Sequence, residues 1–242
     1  GDVYKRQLYN GALSGISLDG TAYFYQNPLA DRGGHRRQKW FGCACCPPNV
    51  ARLLSYVPGM LYAASNEGVW VNLYAASVAS IALDNGRKVK ISQRTNYPWD
   101  GDVELTIEAS PEGEFSLFLR IPDWCEGAEV FVNGEKVDVE PRPGSYLELR
   151  RTWRKGDVVG LSLPMRPRLI VAHPRALTLK GMAAIRRGPI VYCLEGLDNP
   201  GFDVWDLFVR PDVELESEFA PDLLGGVVVV RGTGLVPEMS KW

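Results

Sequence analysis

The strongest constraint on what this chain can become is a run of short segments between residues 69 and 163 in which apolar and polar side chains alternate. Segments 69–74, 77–83, 88–93, 103–108 and 115–120 each keep a period of two, which puts every second side chain on one face of a strand. Asp84-Asn85-Gly86, Trp99-Asp100-Gly101 and Pro111-Glu112-Gly113 separate them with residues that favour tight turns. The pattern resumes at 129–132, passes the hairpin dipeptide Asn133-Gly134, and continues through 146–149 and 157–163. Strands of this length with one wetted face each predict antiparallel β-sandwich packing.

Pro164-Met165-Arg166-Pro167-Arg168 interrupts the alternation, so a boundary is expected there between a sandwich over 65–166 and a second, smaller β unit over 167–242. In the latter, Val227-Val228-Val229-Val230 does not alternate and reads as a buried central strand. Only a dozen residues follow it before Trp242 closes the chain, which fits a truncated C-terminus.

Before residue 65 the pattern is different. Val50, Leu53, Leu54, Val57 and Leu61 recur at helical spacing and predict one helix ending near Tyr62 or Ala63, capped by Asn49 and kinked at Pro58-Gly59. Its apolar face calls for another helix as partner. Residues 8–17 read as the tail of a helix entering a turn, 21–26 as a short aromatic strand, and 31–39 as a polar loop. Residues 1–7 lack an initiator methionine and resemble translated adapter sequence, so they are expected to be foreign to a chain that is itself a fragment.

A chain of 242 residues with 45% hydrophobic and 23% charged side chains is large enough to bury a core without disulfide staples. The net charge of -2 gives no electrostatic reason to bind nucleic acid or an anionic membrane, and no apolar run approaches the roughly 20 residues of a spanning helix. Neither nucleic acid nor membrane is expected as a partner, while a homodimer stays open.

Three of the five cysteines, Cys43, Cys45 and Cys46, fall within four positions and are followed by Pro47-Pro48. The two rings lock the backbone and remove N–H donors, so the cysteines are expected on a constrained loop outside any regular helix. Such a cluster suits zinc, a nucleophile, a redox pair or buried structural thiols, and the residues do not choose among these. Cys125 and Cys193 stand in β-like surroundings and read as small buried hydrophobes. His35, Arg36 and Arg37 read either as donors to a polar substrate or as a solvated basic loop. Trp40, Trp70, Trp99, Trp124 and Trp153 offer surfaces for sugar rings, though tryptophans in alternating strands are more often core.

The segments Gly33-Gly34-His35-Arg36-Arg37-Gln38 and Trp40-Phe41-Gly42-Cys43-Ala44-Cys45-Cys46-Pro47-Pro48-Asn49 closely resemble glycoside hydrolase family 127, the β-L-arabinofuranosidases. Val71-Asn72-Leu73-Tyr74, Tyr97-Pro98-Trp99-Asp100-Gly101 and Arg187-Gly188-Pro189-Ile190 carry the resemblance further. It implies a mainly β fold in which the last helical piece of an (α/α)6 barrel, residues 1–64, is followed by antiparallel β-sandwich domains. It also implies zinc held by Cys45 and Cys46, with Cys45 as nucleophile in retaining hydrolysis of an L-arabinofuranosyl-containing carbohydrate. His35 becomes a substrate-binding candidate. The family's other zinc donors, a glutamate and a cysteine, and its general-acid glutamate would lie upstream, so the chain by itself is expected to bind zinc poorly and to be inactive. A non-catalytic carbohydrate-binding sandwich and a structural zinc module are the alternatives. Reduced thiols suit a cytoplasmic enzyme.

Overall fold

The computed structural model describes residues 2–28, 30–43 and 45–237. Gly1 of the leader, Ala44 of the cysteine cluster and the closing Trp242 lie outside that set. The chain divides into two units, Gly1–Pro164 and Met165–Trp242.

In the first unit, α1 (Asp2–Gln7) runs into a π-helical turn at Leu8–Ala12 and a 3-10 turn at Leu13–Gly15. The aromatic stretch 21–26, expected as a strand, makes only isolated bridges, from Tyr23 to Ile16 and to Gln38. Gly11, Gly15 and Gly20 precede it, which leaves too little regular chain beside it for a ladder to propagate. The next element, α2 (Cys46–Met60), starts earlier and ends earlier than its apolar spacing predicts. Cys45 is the N-cap, and Cys46 lies inside the helix with Pro47 and Pro48 in its first turn. This corrects the loop expectation for Cys46, while Cys43 and Cys45 lie outside the helix as expected: proline is excluded from helix interiors but tolerated in the first turn, where its missing N–H has no partner to lose. Asn49 does not cap; its Nδ2 donates to the Cys45 carbonyl at 2.6 Å from inside the first turn. Pro58 sits in the last turn, and no residue of α2 is fully buried.

Ten strands follow in this unit: β1 (Tyr62–Ala64), β2 (Gly68–Val71), β3 (Ser77–Ala82), β4 (Lys88–Thr95), β5 (Asp102–Ala109), β6 (Phe115–Arg120), β7 (Glu129–Val132), β8 (Glu135–Lys136), β9 (Tyr146–Arg151) and β10 (Val158–Ser162). They form a four-stranded sheet ordered β1-β2-β6-β9 and a six-stranded sheet ordered β3-β4-β5-β10-β7-β8. Every pairing is antiparallel except β2 with β6. Those two are parallel because the intervening chain crosses to the other sheet for β3, β4 and β5 before it returns. The core is built from the inward residues of both sheets, among them Val69, Val71, Leu117 and Leu119 from one and Ile91, Leu105, Ile107 and Val159 from the other. Burying each such side chain contributes roughly 1.5–3 kcal/mol against leaving it in water. Gln93, also buried, links the sheets by donating to the Tyr62 hydroxyl at 3.0 Å.

Asn133-Gly134 makes the hairpin expected of it: both residues have positive φ, 52° and 84°, which a two-residue turn of the matching twist requires. The Asn133 side chain donates to Asp157 Oδ1 at 3.0 Å and accepts from the Val158 N–H at 2.8 Å, while the Arg154 N–H donates to Asp157 Oδ2. The bond from the Arg154 backbone, followed by that from Asn133, holds the Asp157 carboxyl below the usual carboxylate range. A carboxyl whose folded pKa lies below its unfolded one stabilises fully above the unfolded value, about 4, and loses that contribution as pH falls through the folded value. Asp157→Asn is therefore expected to melt below the parent chain near neutrality and to converge on it as pH drops from about 5 towards 2. Thermal melts across that range check this; a gap that stays constant would contradict it.

In the second unit, β11 (Pro167–Val171), β12 (Ala183–Arg187) and β13 (Ile190–Tyr192) form an antiparallel sheet, and β14 (Glu216–Ala220) pairs with β15 (Val227–Arg231). The valine run is thus not a central strand. Among the described residues β15 has one partner strand, and of its four valines only Val228 is fully buried. Cys125 of the first unit is buried as expected, whereas Cys193 is exposed because β13 ends immediately before it. Among the described residues no helix is long and apolar enough to cross a membrane.

Candidate active site

Two extended pieces of chain meet at the head of α2. Tyr23 and Gln38 exchange backbone N–H···O bonds at 3.0 Å in both directions, which sets 23–26 beside the segment that leads into the cysteines. Phe41 packs against the rings of both Tyr23 and Tyr25, with centroids 5.3 Å from each. Residues two apart in an extended run share a face, so this aromatic clamp aims Tyr25 towards the thiols.

The Tyr25 hydroxyl lies 2.7 Å from Cys45 Sγ, and Cys45 Sγ lies 3.4 Å from Cys46 Sγ. Hydrogen bonding with Cys45 first, and with Cys43 and Cys46 after it, pushes the Tyr25 phenol well above its ordinary range, so it stays a neutral O–H able to donate to sulfur. The structure therefore brings Cys45 and Cys46 together beside one phenol, with Cys45 in direct contact. Cys45 is exposed and Cys46 half-buried, so the sulfurs are reachable. They sit at the N-terminal end of a helix of 15 residues, where the backbone dipole favours negative charge.

Two thiolates at about 2.3 Å from a tetrahedral zinc ion are roughly 3.8 Å apart. The observed 3.4 Å is close to that edge, so Cys45 and Cys46 fit two corners of such a site. Among the described residues no group of three or more histidine, cysteine, aspartate or glutamate side chains stands ready to hold a metal.

His35 lies in the same region but does not point its donor at the thiols. Its Nε2 is 2.8 Å from the carbonyl oxygen of Gln26, which can only accept, so Nε2 carries the proton. Its ring stacks on Phe24 with centroids 4.6 Å apart. The Arg37 guanidinium lies over the same Phe24 ring at 4.3 Å and donates to the Ser14 carbonyl at 2.7 Å. Arg36 donates to the His35 carbonyl. The basic loop thus spends much of its donor capacity on the protein.

The tryptophans divide in the same way. Trp124 and Trp153 are core, and Trp70 is stacked on Phe118 at 3.8 Å with Tyr146 edge-on at 4.9 Å. Trp40, 65% exposed, stands five residues before Cys45 with most of its ring in solvent. Tyr25 is the residue that sequence reasoning missed. Its signal is the aromatic run Tyr23-Phe24-Tyr25, which by itself speaks only for strand propensity.

Comparison with known proteins bears on what this arrangement is for. Residues 1–59 match a family model described as the GH127 catalytic domain of β-L-arabinofuranosidase, residues 68–165 the GH127 middle domain, and residues 167–233 the glycoside hydrolase family 127 C-terminal domain. A non-reducing end β-L-arabinofuranosidase from Bifidobacterium longum subsp. longum is 35% identical over 250 residues, covering 95% of this chain and 37% of that protein. The crystal structure of Ara127N-Se, a GH127 β-L-arabinofuranosidase from Geobacillus stearothermophilus T6, superposes with a TM-score of 0.90 at 49% identity, over 100% of this chain and 40% of that one. BT3674, described as a GH127 β-arabinofuranosidase, gives 0.90 at 38% identity, over 97% and 39%. The chain spans about two fifths of the length of these relatives.

Proposed function

Because the chain belongs to glycoside hydrolase family 127, over the end of its catalytic domain and its middle and C-terminal domains, we propose that it supplies the nucleophile, Cys45, of a retaining β-L-arabinofuranosidase-like hydrolase. The observation that supports this reading is the direct contact between the Tyr25 hydroxyl and Cys45 Sγ at the head of α2, with Cys46 Sγ beside it. A buried structural thiol would need neither solvent access nor a phenol donor.

In the proposed reaction the Cys45 thiolate attacks the anomeric carbon of an L-arabinofuranosyl group. The C–S bond forms as the C–O bond to the leaving group breaks, and the departing oxygen takes its proton from an acid supplied by the rest of the parent protein. Water then attacks the same carbon, giving its proton to the conjugate base of that acid as the C–S bond breaks and the thiolate leaves, and configuration is retained through two inversions. Tyr25 holds the sulfur and donates a hydrogen bond to it as negative charge returns in the second step. Cys45 and Cys46 would hold a zinc ion together with donors from elsewhere in the parent, and zinc supplies deprotonated thiolate at neutral pH.

The first product formed from an aryl β-L-arabinofuranoside by the full-length protein is expected to keep the β configuration. Proton NMR of the anomeric signal in the first minutes, or of the methyl glycoside formed in methanol, reads it directly. Inverted product would sink the covalent reading, since a direct attack by water needs no nucleophile on the protein.

A further inference from the structure

We infer that His35 is a positioning residue, which fixes the Tyr25 hydroxyl on Cys45 by clamping the residues on either side of Tyr25. The imidazole donates from Nε2 to the carbonyl of Gln26 and stacks on the ring of Phe24, so its two contacts fall on the immediate neighbours of Tyr25 in sequence. Phe24 is held from further directions as well. Its N–H donates to the Gly15 carbonyl at 2.8 Å, and the Arg37 guanidinium, tied to Ser14, covers its ring.

His35 is in turn set by Asp31, whose Oδ1 accepts from the His35 N–H at 3.0 Å and from the Gly33 N–H at 2.7 Å. These bonds, with that from His35 the largest, draw the Asp31 carboxyl below its ordinary range. The result is a continuous series of contacts from Asp31 through His35 to residues 24 and 26, and through Tyr25 to Cys45. Without it, Tyr25 and Gln26 would be held through the two bridges at Tyr23, the contacts of Phe24 with Gly15 and Arg37, and the packing of Phe41, because residues 24–26 form no ladder. A substrate hydroxyl would have to compete with the Gln26 carbonyl for Nε2, which is why the geometry favours positioning over substrate contact.

The inference rests on the functional reading for its consequence in catalysis, so it is tested at two levels. In the full-length enzyme, His35→Phe, which keeps a ring for Phe24 but loses the donor, and Tyr25→Phe are each expected to lower kcat about tenfold with KM little changed. The double variant is expected to be no worse than either single one, whereas a product of the two losses, or a rise in KM alone, would overturn the inference. His35→Gln places an amide donor near the position of Nε2 and is expected to recover kcat to within about threefold.

In the chain itself, tyrosine labelled with carbon-13 at the phenol carbon reports the contact without any substrate. Cys45→Ala is expected to shift the Tyr25 signal in the parent chain and in His35→Gln, and to leave it unmoved in His35→Phe. Equal shifts in all three, or loss of the shift in both His35 variants, would overturn the inference. If these shifts behave as expected and the full-length protein inverts configuration, the functional reading fails while the positioning stands.

Discussion

Cys45→Ala in the full-length protein is expected to lower kcat on an aryl β-L-arabinofuranoside by on the order of 10³-fold or more, the scale seen when a covalent nucleophile is removed. Cys45 is the sulfur at 2.7 Å from the Tyr25 hydroxyl, and it caps α2 rather than lying within it. Removing its sulfur leaves Cys46 one residue further into the helix and 3.4 Å from where Cys45 Sγ had been. A displacement of that size is far outside the near-attack geometry that nucleophilic catalysis requires, so Cys46 cannot substitute. Azide is small enough to occupy the vacated space, and it is expected to restore turnover of the variant and to give an arabinosyl azide of inverted configuration. Steady-state rates with and without azide, with NMR of the product, check both parts. Undiminished hydrolysis by Cys45→Ala would remove the thiol from the mechanism.

The second large effect concerns stability. An ideal Cβ on Gly101 would lie 1.9 Å from the Leu163 carbonyl oxygen, and one on Gly68 would lie 1.8 Å from the Ser116 carbonyl oxygen. Neither neighbour can yield by rotating a side chain, because both are backbone. Gly101 accepts from the Leu163 N–H at 3.0 Å, and Gly68 pairs with Ser116 in the parallel register of β2 and β6. Gly101→Ala and Gly68→Ala are each expected to cost more than about 3 kcal/mol, since relief requires strands to separate. Gly86 gives the contrast: it has positive φ, 80°, but nothing lies within 4 Å of an added Cβ. Gly86→Ala is expected to cost only about 1 kcal/mol, from backbone strain alone. Urea melts of the three variants followed by tryptophan fluorescence separate the two cases, and equal midpoints would contradict the argument.

The difference between these positions shows what was legible in the sequence. The β architecture of the first unit could be read because a period of two, repeated over many segments and punctuated by turn residues, has few alternatives. Asn133-Gly134 was legible for the same local reason. What depends on the approach of distant backbone was not legible: nothing near Gly68 or Gly101 announces that a carbonyl from Ser116 or Leu163 occupies the space of a side chain.

The parallel pairing of β2 with β6 was hidden in the same way, since alternation fixes which face of a strand is buried and not which neighbour it takes. At the thiol cluster, the type and spacing of Cys43, Cys45 and Cys46 pointed to chemistry, and the resemblance of the surrounding residues gave that chemistry a form. The double proline points to a constrained loop ahead of the helix, whereas it forms the helix's own first turn, because a locked φ and a missing N–H suit that turn as well as they suit a loop. Tyr25 lies 20 residues away from Cys45, and its side chain is brought to the thiols by the bridge from Tyr23 to Gln38, the packing of Phe41 and the contacts of His35 with its two neighbours.

The central claim is that the Cys45 sulfur bonds to the anomeric carbon. A 2-deoxy-2-fluoro-arabinofuranosyl donor with a good leaving group slows release of such an adduct more than its formation, so incubation with the full-length protein followed by acid quench and peptide mass spectrometry tests the claim directly. The account predicts one fluoropentosyl group on the peptide that carries Cys45, with fragment ions placing it on that sulfur and none on the peptide from Cys45→Ala. A pentosyl group on a carboxylate side chain, with Cys45 unmodified, would contradict it.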